Sequence, residues 1–272
     1  MPAIFDAATA VRRVDAHRFD AHRFEAEVQA GWDIGGNANG GYLLAIAGRA
    51  MAEAAGRPPL TLTAHYLAPA PAGPCHVDVE VARSGRRLAT VRASLWQGER
   101  QVLALLGTFG EQQTPPDDVA PYVDGAPPEM PPYDELVPPP LPPGSDPDSM
   151  FAKLGTRLRP ADAGFRHGDK SGKAEIGGWF AFSDDQPVDA IGLLFVCDSF
   201  PPPVFNTDRP VGWVPTVELT VHVRGVPVSG PLRCVFRSRF IQGGLIDEDG
   251  EVWDSAGHLV AQSRQISLAP RP

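Results

Sequence analysis

The sequence is short of sulfur, of long apolar runs and of positive charge, and each shortage excludes something. Three cysteines stand among 272 residues, Cys75, Cys197 and Cys234. They cannot all pair and each lies in an apolar run, so buried free thiols in a reducing compartment are expected rather than a disulfide framework. The longest charge-free apolar stretches, near 41–48 and 190–197, fall well short of the ~20 residues that a bilayer-spanning helix needs. Met1-Pro2-Ala3-Ile4-Phe5-Asp6 has neither the basic start nor the apolar core of a secretory signal, so a cytoplasmic, soluble protein is expected. Lys and Arg number 24 against 33 Asp and Glu, a net charge of −9 with a pI near 5.2, which argues against nucleic acid and membrane surfaces as partners. The chain lacks G-x-G-x-x-G, a Walker A loop, a G-x-S-x-G elbow and any His/Cys/acid cluster at zinc spacing. No metal is therefore expected, and a serine nucleophile is disfavoured.

Proline and glycine are abundant instead, 30 and 28 residues. Thirteen of the prolines fall between Thr114 and Pro147, including Pro138-Pro139-Pro140-Leu141-Pro142-Pro143. Proline offers neither helices nor sheet ladders a donor, so this stretch reads as an extended, polyproline-like connection. It divides the chain into an N-terminal domain (1–112), a linker (113–149) and a C-terminal domain (150–272).

The two halves resemble each other. Thr63-Ala64-His65 maps onto Thr220-Val221-His222 at an offset of 157, and the same offset carries Gly73-Pro74 onto Gly230-Pro231 and Trp96 onto Trp253. Three landmarks in one order at one offset indicate an internal repeat of a domain-sized unit. In the first unit a helix is expected over 41–55, with Asn39 as N-cap, Gly56 just past the end and Pro58 as a stop. Leu43, Leu44, Ile46, Ala47, Ala50 and Met51 cover more than one face, the pattern of a buried helix. Strands follow over 60–67, 75–82, 88–97 and 102–109. In the second, Val77, Val79 and Val81 alternate with His76, Asp78 and Glu80. In the second unit, Ser183-Asp184-Asp185-Gln186 has capping-box spacing before Pro187, and a helix is expected from there to about 200, where Pro201-Pro202-Pro203 ends it. Strands follow near 217–223, 232–240, 251–254 and 258–268. An apolar helix covering one face of an antiparallel meander is a hot-dog unit. Two copies make an α+β, double hot-dog chain.

On the segments Gly40-Gly41-Tyr42-Leu43-Leu44, Leu62-Thr63-Ala64-His65-Tyr66-Leu67, Cys197-Asp198, Pro215-Thr216-Val217-Glu218 and Ala261-Gln262-Ser263-Arg264-Gln265, the chain resembles the acyl-CoA thioesterase II family (TesB-like, of the thioesterase-like superfamily). The resemblance covers most of the chain outside the proline segment. It implies hydrolysis of an acyl-CoA to free acid and CoA in fatty acid metabolism, with no cofactor beyond the CoA of the substrate, in a homo-oligomer of double hot dogs. Family members hold the attacking water with an Asp, a Thr and a Gln, which by position are Asp198, Thr216 and Gln265 here.

Thioester hydrolysis needs an aligned water, a proton acceptor and a donor for the oxygen that gains charge. Asp198 is the candidate base. An ordinary Asp is too acidic for the task, but apolar neighbours and a place in the last turn of its helix both favour a raised pKa. Backbone N–H groups of Asn39, Gly40 and Gly41, at the start of the first helix, are the candidate oxyanion donors. Subtracting 157 takes Thr216 to Pro59 and Gln265 to Thr108, so the first half lacks the water-holding set and one site per chain is expected.

The remaining polar landmarks read as structural or undecided. His65 and His222, at equivalent positions, read as structural, and Asp247-Glu248-Asp249-Gly250 as a solvated hairpin tip. Lys153, Arg157, Arg159, Arg166, Lys170 and Lys173, or Arg83, Arg86 and Arg87, are candidate contacts for CoA phosphates or plain surface. Two other functions fit the architecture. One is a catalytically silent acyl-CoA binder. The other is a hot-dog hydratase or dehydratase, whose Gly-Asp-x-Asn-Pro-x-x-His signature is absent.

Overall fold

The computed structural model describes residues 3–18, 21–112, 122–141 and 146–269. A short helix α1 (Ile4–Ala8) leads into a hairpin of β1 (Arg12–Arg18) and β2 (Ala21–Val28) and a small ribbon of β3 (Asp33–Ile34) and β4 (Asn37–Ala38). Helix α2 (Gly40–Ala55) follows, then β5 (Pro59–Tyr66), β6 (Gly73–Ser84), β7 (Ala89–Gln97) and β8 (Arg100–Phe109). The second half carries β9 (Arg157–Leu158), β10 (Glu175–Phe180), helix α3 (Ala190–Val196), β11 (Thr216–Val223), β12 (Leu232–Arg237), β13 (Ile241–Gln242), β14 (Leu245–Trp253) and β15 (Leu259–Leu268).

All the long strands join one antiparallel sheet in the order β1-β2-β6-β7-β8-β5-β11-β15-β14-β12-β10-β9, with β13 beside β14. The halves meet where β5 pairs with β11, and the pairing is symmetric about Thr63 opposite Thr220. Their hydroxyls lie 2.8 Å apart. The repeat is written into the ladder defects as well. Bulges fall between Pro59 and Thr61 and between Thr216 and Glu218, and again between Leu95 and Trp96 and between Val252 and Trp253, each pair 157 apart. The last strand has slipped by one. Thr61 faces Thr108, whereas Glu218 faces Ile266, 158 on from Thr108. The counterpart of Gln265 is therefore Gly107, not Thr108, because the chain between the paired Trp253 and Leu259 is one residue longer than that between the equivalent pair Trp96 and Gln101.

Helix α2 packs on β2, β5, β6 and β7 and against α3, which in turn lies on β11. Ten of its 16 residues are buried, which explains its apolar character on several faces. Asn39 accepts a 2.9 Å bond from the Tyr42 N–H, and Gly56 closes the helix in the left-handed region at φ 63°, a conformation that glycine adopts without strain. An aromatic cluster joins the halves. Phe5 of α1 packs on Trp32 from the first half and on Phe182 and Phe195 from the second, at ring separations of 5.6, 4.9 and 5.2 Å. Two helices covered by a continuous sheet, with the repeats back to back across β5 and β11, make the double hot dog.

Three local expectations are corrected. The second helix does not begin at Ser183-Asp184-Asp185-Gln186, which forms a turn with Asp185 at φ 57°. Asp189 caps it instead, accepting a 2.7 Å bond from the Gly192 N–H, and it ends at Val196 rather than near 200. Asp198 and Ser199 already bond to the carbonyls three residues back, a tightened last turn before the prolines. Asp247-Glu248-Asp249-Gly250 is no hairpin tip. It lies in the middle of β14, which runs from Leu245 and not from 251, paired on both sides. The β1–β2 hairpin and β10 had no counterpart in the sequence reading. Of the proline segment, 113–121 and 142–145 lie outside the described residues. The longer described part, 122–141, holds one 3₁₀ turn, Tyr133–Glu135, and no strand. It lies on the second half, with Pro131 accepting from Trp179 Nε1 and Tyr133 donating to Gly155.

Candidate active site

Asp198 leaves the C-terminal end of α3 and meets the N-terminal end of α2. Its Oδ2 accepts a 2.7 Å bond from the Gly41 N–H and a 3.2 Å bond from Asn39 Nδ2. Asn39 Nδ2 also reaches the Asp198 carbonyl at 2.8 Å. A residue of the second half is thus held by the helix start of the first. Oδ1 accepts none of these bonds.

This geometry corrects two expectations about the helix ends. The backbone donors of Asn39, Gly40 and Gly41 do not stand ready for an oxyanion. Asn39 N–H bonds to Trp32, while the Gly41 N–H, with Gly40 beside it, serves Asp198. The expectation that the negative end of α3 is the helix end acting on the carboxylate is incomplete, since the positive end of α2, which favours negative charge, faces it as well. Burial is the larger effect and pushes the Asp198 carboxyl up, while the bonds from Gly41, Asn39 and Gly40 pull it back, leaving it at about 6.

Glycine at 41 is required by close approach. A Cβ there would sit 2.9 Å from both the Asp198 Cβ and the Phe195 carbonyl. At Gly40 it would meet Asp198 Oδ2 at 2.8 Å and the Tyr66 ring at 3.0 Å. Tyr66 donates a 2.9 Å bond to the Gly40 carbonyl, and burial together with the nearby Asp198 and Glu218 charges raises its hydroxyl well above the usual range.

Thr216 and Gln265 come together across the β11–β15 ladder. Gln265 Nε2 donates to Thr216 Oγ1 at 3.0 Å and to Ser267 Oγ at 2.9 Å. Both amide hydrogens are then used, and the buried Gln265 Oε1 has no partner among the described residues. Thr216 Oγ1, acting as acceptor, keeps its own hydrogen to donate. The link to Asp198 runs through its neighbour. The Cys197 thiol bonds to Ser263, two residues before Gln265 on the same face of β15, and burial pushes that thiol up to about 12.

One residue of this region was missed by the sequence reading. Glu248 faces Gln265 directly in the β14–β15 ladder and interacts with the Asp198 charge. A strand signal did exist, since Ile246, Glu248, Gly250 and Val252 alternate, but four small polar residues ending in glycine imitate a turn.

The other candidates do not assemble here. His65 and His222 are exposed. Arg159 is taken by Asp162 and Glu175, Arg157 by the Tyr133 and Leu136 carbonyls, Lys153 by Gly31 and Lys170 by Arg209. The Arg86 carbonyl accepts from Arg57. Cys75, Cys197 and Cys234 are free and buried, as expected. Among the described residues no group of three or more His, Cys, Asp or Glu is arranged to hold a metal, and no helix is long and apolar enough to cross a membrane.

Known proteins carry the same organisation. Residues 28–110 match the acyl-CoA thioesterase N-terminal domain and residues 126–269 the acyl-CoA thioesterase C-terminal domain. An uncharacterised protein of Mycobacterium tuberculosis is 30% identical over 99% of each chain. A Thermobifida fusca protein described as a thioesterase II superposes with a TM-score of 0.86 at 28% identity, covering 100% of this chain and 99% of that one. The acyl-CoA thioesterase II TesB2 of Mycobacterium marinum shares the fold, with a TM-score of 0.71 at 18% identity over 98% of each chain. Two domain matches in the order of the two repeats, with a full-length relative at 30% identity, identify the chain as a thioester hydrolase: it belongs to the acyl-CoA thioesterase family.

Proposed function

We propose that this protein hydrolyses acyl-CoA thioesters with a water held by Asp198, Thr216 and Gln265. The observation that carries the reading is the pattern of hydrogen bonds that the site leaves unmade. Gln265 Oε1 is an acceptor without a partner among the described residues, the Gly41 N–H and Asn39 side-chain bonds to the Asp198 carboxylate both fall on Oδ2 and not Oδ1, and Thr216 keeps a hydroxyl hydrogen to donate. A water supplies what is missing, two hydrogens for the two acceptors and a lone pair for the threonine, with its second lone pair left for the thioester carbonyl.

Asp198 takes one proton as the water's oxygen bonds to that carbon. A pKa near 6 keeps the carboxylate ionised at neutral pH yet basic enough to share the proton in the transition state. The site forms once per chain, because Pro59 and Gly107 occupy the positions equivalent to Thr216 and Gln265. Every step uses side chains of this chain, and none calls for a metal or organic cofactor.

The test is a thiol-release assay on purified protein over acyl-CoAs from acetyl to palmitoyl. Release that saturates with one range of chain lengths is expected, and the preferred range names the substrate. Binding of acyl-CoA with no release from any of them points to a silent binder and overturns the reading.

A further inference from the structure

We infer that Glu248 is the acid of the site, the group that protonates the CoA sulfur as the C–S bond breaks; this rests on the thioesterase reading above. Three observations on β14 carry it. First, its other acids are paired. Asp247 and Asp249 meet Arg264, and Glu251 meets Arg237, all on the opposite face of the strand from Glu248. Glu248 points the other way, in line with the buried Ile246 and Val252, and no cation pairs with it among the described residues. Unpaired carboxyls are seldom placed so deep, because the ionised form loses its hydration without compensation.

Second, its neighbours are the proposed water-holding groups. It stands directly opposite Gln265, where facing side chains have Cβ atoms about 4.5–5.5 Å apart. The Asp198 charge acts on it from the end of α3. The other titratable group facing it from that side is Cys197, a buried neutral thiol. Third, Glu248 and Asp198 each keep some accessible surface, so neither carboxyl is sealed off by packed side chains.

Two half-buried acids whose charges act on each other cannot both ionise readily, and the bonds from α2 decide which does. Asp198 receives the Gly41 and Asn39 donors, and Glu248 receives no such bond. Burial, then the Asp198 charge and those of Asp247 and Asp249, hold the Glu248 carboxyl well above the usual range. Environments that push two carboxyls apart assign the lower to the base and the higher to the acid. The reaction then balances. The water oxygen bonds to the acyl carbon and its proton goes to Asp198. The C–S pair goes to sulfur, which takes the proton of Glu248. Asp198 then returns a proton to Glu248 through water.

The experiment compares wild type with Glu248→Gln on two thioesters of one acyl group. One carries CoA, and the other an aryl thiol acidic enough to leave without help. Glu248→Gln is expected to slow release from the acyl-CoA by about 10²-fold, the usual worth of a positioned acid. It should slow the aryl thioester less than threefold, roughly the scatter of a neutral change, with an unchanged thermal midpoint. Equal slowing on both makes Glu248 structural and overturns the inference, as does undiminished release of CoA. A wild type that cleaves neither thioester overturns the thioesterase reading, and the inference with it.

Discussion

The two helices begin alike and end differently. Each opens on an N-cap whose side chain takes the N–H three residues on, Asn39 with Tyr42 and Asp189 with Gly192. Helix α2 then runs for 16 residues to a left-handed glycine, whereas α3 stops after seven. The short helix releases Cys197 and Asp198 toward the start of the long one. A helix of full length would have kept Asp198 in its own hydrogen-bond ladder and away from Gly41. The repeat thus supplies two similar scaffolds, and in the proposed mechanism the shortened copy supplies the base. The intact copy supplies the donors that hold it.

The largest effect should follow from Asp198→Asn, which keeps an acceptor for the Gly41 N–H and removes the proposed base. A loss of about 10²–10⁴ in thiol-release rate is expected. Stability should change in the opposite sense. A carboxyl whose folded pKa is raised above its unfolded value binds protons more tightly when folded, so its ionisation costs stability as pH rises from about 4 through about 6. Asp198→Asn should therefore melt higher than wild type above pH 6, and the advantage should vanish near pH 4.

Gln265→Ala removes the free acceptor and leaves the Thr216 and Ser267 hydroxyls unpartnered. A loss of about 10–10²-fold in rate is expected, while Gly107→Ala at the equivalent place in the first half should leave the rate alone. That pair of variants asks directly whether the halves are functionally unequal. Gly107 itself is tightly placed, so its variant is judged on rate per folded molecule.

Gly41→Ala forces backbone apart where the helices cross, and should cost about 1–3 kcal/mol of stability along with a fall in rate. Gly48→Ala, two turns further along α2, meets the flexible end of Leu194 and should leave the rate unchanged. The smallest effect belongs to Thr63→Val at the symmetric centre of the sheet. Losing one hydroxyl contact should lower stability by about 0.5–1.5 kcal/mol without touching the rate, as read by denaturant unfolding.

Much of this was legible in the sequence, for identifiable reasons. Asn39, Gly56 and the apolar run between them specify α2 because caps and burial are local signals. The offset of 157 survives because paired strands keep the spacing of their bulges. The end of α3 was not legible. Whether a helix stops at Val196 or at Phe200 depends on Asp198 finding donors 157 residues away in Gly41. The role of the Asn39–Gly41 donors failed for the same reason, since their partner comes from the other half. Glu248 was hidden by composition, because a turn-like tetrapeptide became strand only through its pairing along β15, with β12 joining at Asp249 and Gly250.

The central claim is that a carboxylate of one half is tuned by the helix start of the other to serve as base. The pH dependence of kcat/KM for thiol release tests it most directly. Asp198 must be ionised to act, so the rate should fall tenfold per unit below an apparent pKa of about 6. Asn39→Ala removes a donor that pulls the value down, and should move that limb to higher pH. A profile flat down to pH 4, or a limb that stays in place in Asn39→Ala and persists in Asp198→Asn, would contradict the account.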